Sequence, residues 1–333
     1  ELKLKQKALA GDAKRARAAV EAVAKEHIAK RQNCFPIWAA YASFQRDHGS
    51  ATSACKIYLS LLSSVKPSSL RSGGVPEMFL ELATLLSKSK KASEKFKISP
   101  DTVLGALATQ LSLADFAKES GLNRSQMARR SFQKVVERAL SEGSLDTEAS
   151  VTLVLAAAKF EQLDGSDRGA LGICKQALET ILSSSSETNG PALTRHTLEF
   201  CERSARLVLS LKSIETEKAQ SFFALGLQLF PSSPLLLTAY MRAEYECGAV
   251  ARLEKTLATL VDDERSPTAL LALLIHEGEK KHYKVHHSFE KHLGGGFGQS
   301  CLIWRAYLRY LVLAGRPDQA REHYGRAVRA CPW

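Results

Sequence analysis

The stretches "IWAAYASFQRDHGSATSACKIY" (Ile37–Tyr58) and "IWRAYLRYLVLAGRPDQAREHY" (Ile303–Tyr324) repeat nearly the same pattern within one chain. Counted from the tryptophan of each stretch, five positions match without a gap. The matching pairs are Trp38 and Trp304, Tyr41 and Tyr307, Gly49 and Gly315, Ala54 and Ala320, and Tyr58 and Tyr324. This shared register predicts that the chain is built from repeats of one structural unit, with these residues in the repeat core.

Each repeat has the pattern of two helices joined by a tight turn. Gly315, followed by Pro317, is typical of a helix that ends and a second helix that begins directly afterwards. Before the glycine, aromatic residues recur at i, i+3 and i+6; after it, alanine and tyrosine recur at i, i+4 and i+7. Such a pair cannot bury its apolar faces alone, so we expect neighbouring pairs to stack on both sides.

The middle of the chain follows the same offsets with a weaker pattern. The tryptophan position is taken there by Val154, Arg203, Leu237 and a residue near Leu270. From Arg203 onward the repeats are about 34 residues apart, the length of a helix–turn–helix repeat. An extra second helix at the N-terminus is indicated by Gly11, Ala16, Val20 and Val23. No stretch alternates with period two, so the predicted fold is all-α: an α–α superhelix, or solenoid, of stacked helix pairs.

Two interruptions indicate how the array is divided. We expect an N-terminal sub-array over residues 1–182, with an irregular insertion of longer helices near 67–150, and a C-terminal sub-array over 191–333. Within the insertion, "SKSKKASEKFKISPD" (Ser87–Asp101) is typical of a basic helix end and loop. "SSSSETNG" (Ser183–Gly190) is typical of a flexible connector. The first residue is Glu1 rather than Met, so we expect a fragment of a longer protein.

Composition and charge limit the possible partners. The chain has 333 residues, of which 45% are apolar, so there is ample material for a core. Its apolar runs are too short to cross a bilayer, and we expect no membrane partner. Lys and Arg number 46 against 35 Asp and Glu, a net charge of +11, which permits an anionic partner such as nucleic acid or an acidic protein segment. Seven cysteines without a CxxC pair favour a reducing compartment.

The two end repeats resemble the half-a-tetratricopeptide (HAT) repeat, in which W-x-x-Y opens the first helix and a small residue precedes an aromatic in the second. The residues that carry this resemblance are Trp38, Tyr41, Ala54, Tyr58, Trp304, Tyr307, Ala320, Arg321, Tyr324, Arg326, Ala327 and Pro332. The last repeat, ending in Cys-Pro-Trp, looks most like the nuclear RNA-interference-defective family. The aromatic residues carry over from this resemblance only as repeat-core positions.

The resemblance implies a function and a location. HAT arrays are scaffolds of RNA processing, and the family regulates the nuclear RNA exosome by holding its RNA helicase, with links to splicing. A member would be nuclear and would bind protein partners in nuclear RNA-processing complexes. HAT arrays also often self-associate, so a homodimer is open.

A first candidate binding site lies in "LADFAKESGLNRSQMARRSFQKVVERAL" (Leu113–Leu140). The spacing of Ala117, Gly121 and Met127 is that of a DNA-binding helix-turn-helix. The alternative is one more pair of array helices with a solvated basic face. Such a row of cations, one helical turn apart, would suit RNA phosphates or an acidic partner. The candidate residues are Arg129, Arg130, Lys134 and Arg138.

A second candidate site lies in "KKHYKVHHSFEKHL" (Lys280–Leu293), where Lys280, Lys281 and Lys284 are the candidate binding residues. His282 and His286, at i and i+4, have zinc-ligand spacing, but no HExxH motif or nearby cysteine accompanies them. A solvated basic helix is therefore favoured. No Ser/His/Asp or Cys/His set has a supporting context, and we predict no catalytic residue, metal or cofactor.

The function predicted from the sequence is that of a non-enzymatic scaffold, which binds segments of partner proteins in the groove of the solenoid. The alternative is direct RNA binding through the basic helix faces. That alternative predicts a steep loss of affinity with salt.

Overall fold

Every regular element among the described residues is an α-helix. The computed structural model describes residues 2–30, 34–63, 65, 70, 74–119, 121–141, 145, 147–187, 195–280 and 282–331. The prediction of an all-α solenoid of stacked helix pairs is confirmed. No described helix is both long enough and apolar enough to span a membrane.

The chain divides into two compact units. Unit 1 comprises Glu1–Leu207 and Leu211–Ser213, and unit 2 comprises Val208–Ser210 and Ile214–Trp333. The helices that lie mainly in unit 1 are α1 (Leu2–Lys30), α2 (Phe35–His48), α3 (Ala51–Leu62), α4 (Val75–Lys88), α5 (Lys90–Phe96), α6 (Pro100–Thr109), α7 (Leu113–Lys118), α8 (Gly121–Ser141), α9 (Glu148–Leu163), α10 (Asp167–Glu187) and α11 (Arg195–Leu209). The helices of unit 2 are α12 (Thr216–Leu229), α13 (Pro234–Glu246), α14 (Val250–Asp262), α15 (Pro267–Lys280), α16 (His282–Leu293), α17 (Cys301–Leu313) and α18 (Pro317–Ala330).

Unit 2 shows the stacking most regularly. Its pairs are α13 with α14, α15 with α16 and α17 with α18, and we call the two members of each pair the first and the second helix. Each first helix packs against the second helix that precedes it, and α15 also contacts the first helices α13 and α17. Serine hydroxyls accept a hydrogen bond from a first-turn amide at the start of α13 (Ser233) and α17 (Ser300).

The turn inside a pair depends on the glycine that lies eleven positions after the tryptophan position. Gly165, Gly248 and Gly315 have φ values of 85°, 68° and 71°, in the left-handed region that side chains disfavour. The amide after each glycine donates to the carbonyl five positions earlier, at 2.8, 3.0 and 2.9 Å respectively. This is the Schellman closure of a helix end. Gly49 is the exception: its φ is −119°, and its turn is made without the left-handed conformation.

The residue twenty positions after the tryptophan position is buried in the earlier repeats and exposed in the last one. The residues there in earlier repeats are buried, and they are Tyr58, Cys174, Phe223 and Leu257. In the last repeat the residue is Tyr324, which is 61% exposed. In unit 2, each second helix that carries this position is followed by a first helix that packs against it. The exception is α18, because it is the last described helix. This corrects the prediction that Tyr324 lies in the repeat core.

The other predicted core positions differ between the two ends. Ala54, Ala320, Trp304 and Tyr307 are buried, whereas Trp38 and Tyr41 of α2 are only half-buried. In unit 2, α15 lies beside the first helix α13, and α17 lies beside the first helix α15. The described part of the chain contains no first helix ahead of α2, since α1 occupies the place of a second helix. The same pattern is therefore buried less completely at the N-terminal end.

The irregular region between α4 and α9 differs from expectation. Its helices are not uniformly longer: α5 has 7 residues and α7 has 6, beside 21 in α8. The stretch Ser87–Asp101, predicted as a basic helix end and loop, contains the end of α4 and then the short helix α5. The short α7 packs closely on α6, because a Cβ added to Gly105 would collide with the ring of Phe116. The region is thus packed into unit 1.

The predicted connector and the unit boundary do not coincide. α10 continues through Ser183 to Glu187, so the first part of the connector is helical, and residues 188–190 lie outside the described residues. The contacts divide the chain near residues 207–214 instead. There Asp167 accepts hydrogen bonds from the amides of Lys212 (3.0 Å) and Ser213 (2.8 Å), which ties this segment to unit 1.

Arg203, at a tryptophan position in sequence, forms an ion pair within unit 1. Its guanidinium is 2.9 and 2.8 Å from the two carboxylate oxygens of Glu77, and Thr152 donates to the same carboxylate at 3.1 Å. Burial alone would lower the pKa of Arg203, but the hydrogen bonds and charge of Glu77 outweigh it and raise that pKa. The pair links α4, α9 and α11.

Candidate partner-binding surfaces

The basic stripe of α8 is only partly available to a partner. Arg129 is engaged by α9: its Nε lies 3.1 Å from Glu161 and its Nη2 lies 2.6 Å from Asp164. Phe132 and its neighbours on α8 are buried against α6 and α9, which makes α8 an array helix. A DNA-reading role for Arg129 would require both ion pairs to be broken.

Three other cations of the stripe, Arg130, Lys134 and Arg138, are exposed. Lys134 and Arg138 also line a shallow groove of about 400 Å³ with Ser150 and Leu153 at the junction with α9. A groove with two cations on one wall suits a phosphate or a carboxylate. The binding role of these residues stays a prediction.

The second predicted site can be placed only in part. Lys284 is exposed on α16. Lys281 and the side chain of Lys280 lie outside the described residues. His286, which has zinc-ligand spacing from His282 in sequence, instead has its Nδ1 2.9 Å from the hydroxyl oxygen of Tyr307. That contact joins α16 to α17.

Tyr307 is the centre of a polar network between α16, α17 and α18. Its hydroxyl donates to Glu290 at 2.7 Å, and Arg326 donates to the other oxygen of Glu290 at 2.9 Å. The Arg326 guanidinium also lies 5.5 Å from the ring centre of Trp304. Burial and the charge of Glu290 raise the pKa of Tyr307. The network holds three helices together.

A second network in unit 2 surrounds Glu244, which is 0% exposed. The Arg252 Nε lies 2.9 Å from each of its oxygens, and Gln220 donates to it at 3.0 Å. In the same repeat, Tyr240 and Thr256 form a hydroxyl pair at 3.0 Å. These contacts connect α12, α13 and α14. The sequence analysis did not predict them. A signal was present, because Tyr240, three positions after the tryptophan position, is tyrosine rather than phenylalanine, and a buried hydroxyl needs a partner.

The side of α17 opposite its buried residues carries a mixed apolar and basic stripe. Leu302, Arg305, Arg309 and Leu313 follow one another at i, i+3, i+7 and i+11, so they share one helix face. All four are exposed, Leu313 by 77%. Within the part of the chain that the structure describes, neither arginine has an ion-pair partner. The stripe therefore places two arginines beside two exposed leucines.

The neighbouring first helices extend this stripe into a surface. α15 exposes Ile275 by 64%, and α13 exposes Arg242 and Tyr245. The Tyr245 hydroxyl is hydrogen-bonded to Nδ1 of the buried His276 on α15, which fixes the two helices side by side. We call this surface the first-helix face, and its residues are Arg242, Tyr245, Ile275, Leu302, Arg305, Arg309 and Leu313.

Arg242 differs from the other two arginines of the first-helix face. It is paired with Glu246 at 2.8 Å on its own helix, and both side chains are exposed by more than half. An exposed pair of this kind contributes at most about 1 kcal/mol, so a partner carboxylate can displace Glu246 at little cost.

A third surface lies at the N-terminal end of unit 1. An apolar groove of about 740 Å³ between α1 and α2 is lined by Val20, Val23, Ile37, Tyr41 and Phe44 among others. Val23 is more than half exposed.

Comparisons with known proteins give a general likeness only. No family model matches the chain, and no curated protein matches its sequence. Among solved structures, the human IFIT1 dimer with m7Gppp-AAAA is 15% identical, with 96% of this chain and 87% of that chain covered and a TM-score of 0.20. The human IFIT1 dimer with PPP-AAAA is 16% identical, with 96% and 86% covered and a TM-score of 0.23. An IFIT1 monomeric mutant with Gppp-AAAA is 15% identical, with 91% and 75% covered and a TM-score of 0.24. Function must therefore be argued from the surfaces of this chain.

Proposed function

We propose that this chain is a non-enzymatic scaffold of nuclear RNA processing and surveillance, which binds an acidic, apolar-anchored segment of a partner protein on the first-helix face. The nuclear location, the regulation of the exosome helicase and the link to splicing rest on the HAT-like and family-like residues of the two end repeats. The place of binding rests on the geometry of unit 2.

The observation that carries the proposal is the combination of uncommitted cations and exposed apolar side chains on α15 and α17. Arg305 and Arg309 lie one helical turn apart between Leu302 and Leu313, and Ile275 is exposed on the adjacent helix. Covering one such aliphatic side chain is worth about 1.5–3 kcal/mol. Carboxylates of the partner then satisfy the guanidinium groups and fix its register.

The polar networks of unit 2 support a scaffold rather than an enzyme. The carboxylates of Glu244 and Glu290 are each held by an arginine and by at least one neutral donor from another helix. A general acid or base has to reach a substrate proton. These carboxylates are instead used to join helices.

Direct RNA binding is the second candidate function, and the exposed row Arg130, Lys134 and Arg138 favours it. A helix face with cations one turn apart can follow phosphates without reading bases. This function predicts that the logarithm of the affinity falls steeply with the logarithm of the salt concentration, by about 0.7 for each phosphate contacted on a single strand.

The two functions are separated by capture of partners from nuclear extract with the whole chain, with and without nuclease. We expect RNA-processing proteins to remain bound after nuclease treatment. The double variant Arg305→Glu and Arg309→Glu should lose them, since it reverses the charge of the face. The matched control is Lys255→Glu and Arg316→Glu, which changes two exposed cations outside the face by the same charge.

Two outcomes would contradict the scaffold proposal. If every partner leaves with nuclease, and Arg130→Glu with Lys134→Glu abolishes the capture, RNA is the ligand. If the control variant loses the partners as fully as the first-helix variant does, net charge rather than the face governs binding.

A further inference from the structure

A dense group of lysines lies where α4 ends and α5 follows it. Five of the ten residues from 88 to 97 are lysine, and a single one, Glu94, is acidic. All five lysines are exposed, and none has an ion-pair partner among the described residues. We call these five residues the lysine patch, and they are Lys88, Lys90, Lys91, Lys95 and Lys97.

The lysine patch is held on packed structure in unit 1. Ser89 joins the two helices: it follows the last residue of α4, and as the N-cap of α5 it accepts a hydrogen bond from the amide of Ala92. Ala92 is fully buried, and α5 packs on α3 and α4. The hydroxyl of Ser93 donates to the carbonyl of Ile98 at 3.0 Å, which fixes the residues after the helix. The lysines therefore have a defined arrangement.

The charges of the patch are close enough to act together. α5 has 7 residues and is about 10 Å long, which equals the Debye length of about 10 Å at 0.1 M salt. Lys91 and Lys95, at i and i+4, are a like-charge pair that opposes helix formation. A bound anion would remove this repulsion. One strand of a nucleic-acid duplex carries about three phosphates over the same length.

Lys159 of α9 adds a half-buried cation on the helix that packs against α4. Its Nζ donates to the amide oxygen of Gln162 at 2.7 Å, and it has no carboxylate partner among the described residues. Burial and then the charge of Lys88 lower the pKa of Lys159. An anion held near both amines would oppose both effects.

The patch offers a partner charge without an apolar anchor. Phe96 is half-buried, and the amine of Lys95 lies 5.9 Å from the centre of its ring. An acidic peptide would gain only exposed ion pairs here, which contribute little each. A nucleic acid gains more, because each phosphate contact also releases condensed counterions. Since Phe96 is the one aromatic residue of the segment, bases have little to stack on.

We propose that the lysine patch binds the phosphate backbone of a nucleic acid without reading its bases. The proposal goes beyond the scaffold function, which uses the first-helix face of unit 2. It shares its class of ligand with the second candidate function but rests on different residues. It therefore holds whether or not the row on α8 binds RNA.

The test measures the fluorescence anisotropy of labelled oligouridine RNA on titration with the whole chain at several salt concentrations. The patch variant replaces three lysines with glutamine: Lys90→Gln, Lys91→Gln and Lys95→Gln. It should weaken binding about tenfold or more, and it should reduce the slope of log affinity against log salt concentration by about 0.7 for each lysine that contacts a phosphate. The matched control removes the same charge from three exposed lysines elsewhere and should bind nearly as the original chain does. Its substitutions are Lys212→Gln, Lys255→Gln and Lys291→Gln.

Two further arms separate phosphate binding from misfolding and from base reading. The variant with arginine at the same three positions of the patch keeps the charge and should keep the binding. Circular dichroism of all variants should match that of the original chain, since every replaced side chain is exposed. Oligocytidine and oligodeoxythymidine should bind about as tightly as oligouridine, because the contacts are to phosphates.

A third arm separates the lysine patch from the row on α8. The α8 variant is Arg130→Gln with Lys134→Gln. It lowers the affinity only if the second candidate function is correct. The patch variant should lower the affinity further in either case.

Four results would overturn the proposal. The first is that no RNA binds even at low salt. The second is that the patch variant and its control bind RNA equally, so that net charge governs binding. The third is that the α8 variant abolishes binding and the patch variant does not. The fourth is that vesicles of anionic phospholipid or a polyglutamate peptide bind the patch more tightly than RNA does, which would assign it to a membrane surface or an acidic protein. None of these results affects the scaffold proposal, since protein capture after nuclease treatment is tested at Arg305 and Arg309.

Discussion

The stretches Ile37–Tyr58 and Ile303–Tyr324 have the same pattern and opposite surroundings. Tyr58 is 3% exposed because α4 packs on α3, whereas Tyr324 at the same position is 61% exposed on the last described helix. Trp304 is in turn buried more deeply than Trp38. The register of a repeat decides which side of a helix a residue occupies. Whether that side is buried depends on the next element in the stack.

The largest effect expected from this comparison is on stability. Tyr58→Ala should lower the free energy of unfolding of unit 1 by about 3–5 kcal/mol, because it removes a buried aromatic ring and leaves a cavity. Tyr324→Ala should change the free energy of unfolding of unit 2 by no more than about 0.5 kcal/mol. Urea denaturation followed by circular dichroism measures both. Equal losses would mean that Tyr324 is covered in solution.

A second comparison sets a buried ion pair against an exposed one in the same unit. Arg252→Met should destabilise unit 2 by about 2–3 kcal/mol, because it leaves the buried Glu244 carboxylate without its charged partner. Arg242→Met breaks the exposed pair with Glu246 and should cost less than about 0.5 kcal/mol. Thermal and urea unfolding of the two variants provide the measurement. A cost for Arg252→Met as small as that for Arg242→Met would show that the ion pair with Arg252 is not what stabilises the buried Glu244.

The network around Glu290 should make the stability of the last repeats depend on pH. Burial alone would raise the pKa of Glu290, but the hydrogen bonds from Tyr307 and Arg326 outweigh it and lower that pKa. The stabilisation is therefore complete above the unfolded-state pKa of about 4.3 and is lost as the pH falls through the lower folded-state value. Glu290→Gln should be less stable than the original chain at pH 7, and the difference should shrink below about pH 4.3. A difference that stays constant over this range in urea denaturation would contradict the assignment.

These cases also show how far the sequence predicts the molecule. The helix pairs and the turns at Gly248 and Gly315 follow from local pattern, since each needs only nearby residues. The ion pair between Arg203 and Glu77 does not, because its partners lie 126 positions apart and the sequence around one residue does not indicate the other. The same holds for the first-helix face: the pattern that places Trp304 and Tyr307 inside leaves Arg305 and Arg309 outside. Only the contact between α15 and α17 places the helix that exposes Ile275 next to the helix that carries them.

The smallest expected effect concerns two adjacent arginines of α8. Arg129→Gln breaks contacts with Glu161 and Asp164, whose side chains are 17% and 25% exposed, and should cost about 0.5–1 kcal/mol of stability. Arg130→Gln breaks no ion pair among the described residues and should leave stability unchanged. If the stripe binds RNA, Arg130→Gln should weaken binding and reduce the salt dependence by about one phosphate contact, whereas Arg129→Gln should change neither. Filter binding of a single-stranded RNA at several salt concentrations measures both effects. An equal loss for the two variants would mean that Arg129 leaves its carboxylates to reach the phosphates, so that an exposed cation and a paired one are equally available.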